Sequence, residues 1–119
     1  MTQMKTTLNA ADLRKIGFSR PMSLALICLS DGKEHTSIDI ERSTALRQPE
    51  VSIALQSLRI GGFVSCREIK ETPGKGRPVK YFKLAVPFSK IISKRVDEIK
   101  AESQSLLKTA NQILVVCDR

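Results

Sequence analysis

The chain has 119 residues, enough for one domain with its own core, and 41% of them are hydrophobic, an ordinary share for a globular protein. Twenty Lys and Arg against twelve Asp and Glu give a formal net charge of +8, an imbalance suited to a polyanionic partner. No apolar run approaches the roughly 20 residues of a membrane span, and the N-terminal MTQMKTTLNAADLRK lacks the apolar core of a signal peptide, so the expected location is the cytoplasm.

In chain order, Asn9 is an N-cap for a short helix over Ala10 to Ile16, which Gly17 breaks. A second helix spans about Arg20 to Ser30, with Pro21 in its first turn, Leu24, Ile27 and Cys28 at helical spacing for the core, and Asp31-Gly32 as its stop. Ser37 or Thr36 caps a third helix over Ile38 to Thr44, with Ile38 and Ile40 expected inward. Its first turn carries Asp39 and Glu41, where carboxylates suit the helix dipole. A tight turn, Ala45 to Arg47, leads to a fourth helix that opens with Gln48 and with Pro49 at its first helical position.

In that fourth helix Val51, Ala54, Leu55 and Leu58 fall on one face, leaving Gln48, Ser52, Gln56 and Arg59 on another. Gly61-Gly62 ends it. Phe63 to Ile69 and Val79 to Leu84 are strand-like and flank a loop with Pro73, Gly74, Gly76 and Pro78, which permits a hairpin turn. Two helices joined by so short a turn form a helix-turn-helix, and the hairpin adds a wing. The predicted fold class is mainly α with a small antiparallel β-hairpin, a winged helix-turn-helix, over residues 1–86.

The excess charge is concentrated after this helix. Between residues 67 and 95 stand nine cations, Lys75, Arg77, Lys80 and Lys83 among them, against Glu68 and Glu71 only. A solvated surface is the plainer reading of such a run; a polyanion-binding surface explains its clustering on the wing. Gln48, Ser52 and Gln56 are candidates for reading bases, since amides bond adenine and hydroxyls serve as donor or acceptor. Arg47 is placed to read guanine or grip phosphate, and Arg59 lies on the same face. The wing cations Lys70, Lys75, Arg77 and Lys80 suit phosphate or minor-groove contacts beside the glycines.

Residues 87–119 read as a long helix from Phe88 to about Leu114. Ile92, Val96, Ile99, Ser103, Leu106, Ala110 and Ile113 recur at steps of four and three, a heptad seam. Phe88, Ile91 and Ile92 are expected to pack on the chain's own domain. The remaining seam is too long for that and calls for a second copy, making a homodimer with a C-terminal dimerisation helix.

The run QPEVSIALQSLRIGGFV, with LSDGKE upstream and GKGRPVKYFKL downstream, resembles the ArsR-type and TrmB-type winged-helix transcription regulators, and most their archaeal members. The resemblance covers roughly residues 20 to 85 and implies a dimeric, sequence-specific regulator of transcription bound to double-stranded DNA. It does not identify an operator or effector. The metal-sensing cysteine pairs of some ArsR-type proteins are absent from this sequence: Cys28, Cys66 and Cys117 are widely spaced, without a Cys-x-x-Cys pair. No metal or cofactor is expected.

Enzymatic chemistry finds no support. His35, the single histidine, sits in a polar loop without ligand-spaced partners, and no Gly-Lys-Ser/Thr follows Gly74 and Gly76. The main alternative is a winged-helix module that binds a protein of the transcription machinery or another nucleoprotein assembly. RNA binding is disfavoured because Tyr81 and Phe82 are the only stacking candidates on the wing.

Overall fold

Asn9 to Lys70 and Pro78 to Asp118 are described by the computed structural model. The elements are α1 (Ala10–Lys15), α2 (Arg20–Leu29), α3 (Ser37–Thr44), α4 (Gln48–Ile60), β1 (Val64–Ile69), β2 (Val79–Leu84) and α5 (Phe88–Cys117). The chain divides into a winged unit ending at Phe88 and a second unit comprising the rest of α5.

Short polar side chains set the starts of α1, α2 and α3. Asn9 accepts from the Ala11 N–H at 2.8 Å and Ser19 from the Met22 N–H at 3.3 Å. Before α3 the Thr36 hydroxyl accepts from the Asp39 N–H at 3.1 Å, while the Asp39 carboxylate accepts from the Thr36 N–H at 3.0 Å. This reciprocal box satisfies two donors that have no intrahelical partner.

Within the winged unit α2 is the central helix, packed against α1, α3 and α4. Leu26, Leu29, Ile40, Val51 and Leu58 are fully buried. The inward face of α2 differs from the expected one: Ala25, Leu26 and Leu29 are buried, whereas Leu24, Ile27 and Cys28 are only partly covered. In α3 Ile40 is buried, but Ile38 is 55% exposed. Residues two apart on a helix point about 200° from each other, so the pair cannot share an inward face.

The turn between α3 and α4 is tight. Ala45 takes a left-handed conformation, φ 61°, and sends its N–H to the Glu41 carbonyl at 2.8 Å; Leu46 is buried beneath. Arg47 occupies the N-cap position, so Gln48 is the first helical residue and Pro49 the second, one place later than expected. At the far end Gly62, φ 80°, reverses the chain and lets the Phe63 N–H reach the Leu58 carbonyl at 3.0 Å.

β1 and β2 are antiparallel, in register from Val64 opposite Leu84 to Ile69 opposite Val79. A single bridge extends the hairpin: His35 and Phe82 exchange backbone hydrogen bonds of 2.9 and 2.8 Å. The segment before α3 is thereby tied to the wing, and β2 contacts both α2 and α3.

α5 is a 30-residue helix, about 45 Å long at 1.5 Å per residue. It runs three residues past the expected end at Leu114. Ile91 is its one fully buried residue, and every described residue from Ala101 to Asp118 is exposed. No helix among the described residues is long and apolar enough to cross a membrane.

Candidate nucleic-acid interface

The site begins with the division of α4 into faces. Val51, Ala54, Leu55 and Leu58 are buried, so Gln48, Ser52, Gln56 and Arg59 are held outward on a rigid element. These four side chains line one groove of about 630 Å³. Its opposite wall is the hairpin, contributing Pro78, Val79, Lys80 and Phe82, and its end is formed by Thr36, Ser37 and Ile38 at the start of α3. Four of the five helix residues singled out from sequence thus share one concavity with Lys80 of the wing.

Arg47 stands apart, exposed at the N-cap position. Its N–H donates to the Glu50 carboxylate at 3.1 Å, which gives Glu50 a capping role at the positive end of α4. A carboxylate beside a candidate polyanion surface is thereby explained by helix geometry. Among the described residues neither Arg47 nor Arg59 has an ion-pair partner.

The wing cations separate into two kinds. The Arg67 guanidinium donates to both Glu34 oxygens at 2.7 and 2.6 Å and lies 5.4 Å from the Tyr81 ring centre. That bidentate contact holds the Glu34 carboxyl below its usual range. Arg67 therefore staples the wing to the segment before α3, and its charge is largely matched. Lys80 is 3.8 Å from Glu68, its cross-strand neighbour, through a half-exposed contact that leaves the ammonium within reach of the groove. Lys70 is exposed at the end of β1. Lys75 and Arg77 lie outside the described residues.

His35 donates from Nε2 to both Asp31 oxygens, at 3.1 and 2.9 Å, in a turn next to the bridge. The neighbouring Lys33 N–H bonds Asp31 as well and, with His35, holds that carboxyl below its ordinary value. The contacts are those of a turn. Among the described residues no group of three His, Cys, Asp or Glu could hold a metal ion.

The outer side of α4 also carries an apolar ridge that its polar residues do not mark. Ile53 is 66% and Ile60 80% exposed, and both project almost opposite the buried face, alongside Pro49 and Gln56. Counting 100° per residue from the Val51, Ala54, Leu55 and Leu58 face identifies these residues from sequence.

The fold and this groove define a winged helix-turn-helix unit with a polar helix face and a cationic strand meeting at one surface. Comparisons of the chain with protein-family models and with curated proteins find no match.

Proposed function

We propose that the protein is a transcription regulator that binds double-stranded DNA sequence-specifically as a homodimer in the cytoplasm. The observation that carries this reading is the shared groove, in which the polar face of α4 and Lys80 of β2 front the same space. An α-helix fits the major groove of B-DNA, and the side chains on its outer face meet base edges. Ser52 and Gln56 are placed to hydrogen-bond bases. Ile53, on the outward ridge, offers an apolar contact to a thymine methyl. Arg47, Arg59, Lys70 and Lys80, with Lys75 and Arg77 of the wing loop, supply phosphate contacts and most of the affinity.

The long C-terminal helix serves the dimer, setting two α4 helices on two half-sites. The exposed ridge of Ile53 and Ile60 favours a second reading, an interaction module for a protein of a nucleoprotein assembly, since paired apolar side chains also suit a protein surface.

Titration of duplex DNA at several salt concentrations separates the two. A DNA-binding protein loses affinity steeply with salt, by about 0.9 log units per log unit for each phosphate contact, and selects a preferred sequence from random duplexes. Absence of salt-dependent duplex binding overturns the first reading and leaves the interaction module.

A further inference from the structure

We infer that α5 pairs with α5 of a second copy in antiparallel orientation, so that Cys117 of one copy meets Ile92 of the other. This rests on the dimer in the proposed function and adds its direction and register.

The seam continues one step beyond Ile113, because α5 stays helical to Cys117. In heptad terms Ile92, Ile99, Leu106 and Ile113 are d positions, and Val96, Ser103, Ala110 and Cys117 are a positions. Every a residue is smaller than any d residue. A parallel pair stacks a on a and d on d, so Ser103 meets Ser103 and Ala110 meets Ala110, leaving two underfilled layers. It also places isoleucine on isoleucine at d, which disfavours two parallel strands.

Antiparallel pairing stacks a on d. With all eight positions engaged, Val96 faces Ile113, Ser103 faces Leu106, Ala110 faces Ile99 and Cys117 faces Ile92. Each layer then joins a smaller to a larger side chain, the arrangement that fills space evenly.

Charge points the same way. In a parallel pair the residue flanking each a position meets the one flanking d in the next heptad, which sets Arg95 against Lys100 of the other copy. Arg95 is already held by Glu102 at 3.0 Å and Glu98 at 3.1 Å of its own helix. In the antiparallel pair Lys100 instead lies over Leu107 and Arg95 over Val116, so the stems of two basic side chains cover apolar residues that are 64% and 69% exposed in the single chain.

The test uses the full chain. Sedimentation first establishes the dimer; a monomer at micromolar concentration overturns the dimer reading and this inference together. Mild oxidation of a C28S/C66S variant then asks which thiols meet. In the antiparallel pair the two Cys117 side chains lie about 37 Å apart along the axis at 1.5 Å per residue, too far for a disulfide. Adding Ile92→Cys brings position 92 against Cys117 of the other copy, and covalent dimer forms at least about tenfold faster than without it. Rapid Cys117-to-Cys117 linkage overturns the antiparallel orientation while leaving the dimer intact.

A second measurement does not depend on disulfide formation. A spin label at Lys94→Cys, with the native cysteines replaced by serine, reports copies about 31 Å apart along the axis if antiparallel and level with each other if parallel. A distance consistent with the level arrangement overturns the inference.

Discussion

The winged unit and the far end of α5 solve the same problem in opposite ways. In the winged unit the apolar faces of α2, α3 and α4 close on one another, and Leu26, Leu29, Ile40, Val51 and Leu58 are removed from water within a single chain. Along α5 Leu106, Leu107, Ile113, Leu114, Val115 and Val116 are between 57% and 71% exposed. Apolar side chains in such number, left exposed along a helix among the described residues, are the kind of surface that a partner covers. An isolated helix gains little stability from hydrogen bonding alone, so a partner stabilises the far end of α5 as well as covering it. One region is self-sufficient, and in the proposed dimer the other ties its stability to association.

Damage to each region separately tests whether the two are independent. Leu58→Ala opens a cavity under α4 and costs about 2–5 kcal/mol, so the winged unit unfolds at lower denaturant whatever the protein concentration. Ile99→Asp with Leu106→Asp puts carboxylates into the seam at a cost of several kcal/mol, yet leaves the winged core untouched. Chemical denaturation and sedimentation read the two effects. The first variant shifts the denaturation midpoint and the second yields monomers; a dimeric double variant removes the seam from the interface.

How far the sequence announces these regions depends on how local each determinant is. The inward face of α4 is legible because Val51, Ala54, Leu55 and Leu58 are its apolar stripe at strict three- and four-residue spacing. The face of α2 is not, because MSLALICL is apolar nearly all round. Which side is buried there is decided by α1, α3 and α4 packing about it, a tertiary choice that periodicity does not encode.

The bridge between His35 and Phe82 joins residues far apart in sequence, and no local pattern marks it. Arg67 illustrates the same limit at the candidate site. From sequence it is one cation among many on the wing, and only the pairing with Glu34 shows that it holds the hairpin. Gln48, Ser52, Gln56 and Arg59 are legible because a single helix sets their common face, whereas their meeting with Lys80 depends on where the hairpin folds back.

Smaller effects test the proposed division within the winged unit between side chains that select a sequence and those that hold any duplex. Ser52→Ala or Gln56→Ala lowers discrimination between the preferred and a random duplex by about 1–3 kcal/mol for each base that is no longer read. Replacing Lys75, Arg77 and Lys80 weakens both duplexes alike and reduces the salt slope by about one unit per phosphate contact. Ile53 gives a finer probe. Exchanging thymine for uracil at its contact costs roughly 0.8 kcal/mol, the worth of one buried methyl-sized group, and the penalty disappears in Ile53→Ala. Equal affinity for the thymine and uracil duplexes across the whole preferred site removes Ile53 from base reading and turns the ridge towards a protein partner.

The smallest effect concerns the capping box that fixes α3 beside the groove. Thr36→Ala removes the side-chain acceptor for the Asp39 N–H and costs about 1 kcal/mol, measured as a shift in the denaturation midpoint of the winged unit. Asp39 adds a pH dependence. The Thr36 N–H, its strongest influence, holds its carboxyl below the ordinary aspartate value of 3.8. A group whose folded pKa is depressed stabilises fully above its unfolded value, and that contribution is lost as the pH falls through the lower folded value. Stability of the winged unit should therefore decline as the pH drops below about 4, and Asp39→Asn should remove part of that decline while lowering stability at neutral pH. Asp31 and Glu34 are depressed too, so a shallower acid limb remains in the variant. An acid limb identical in Asp39→Asn and the unmodified protein would show that the box contributes through geometry alone.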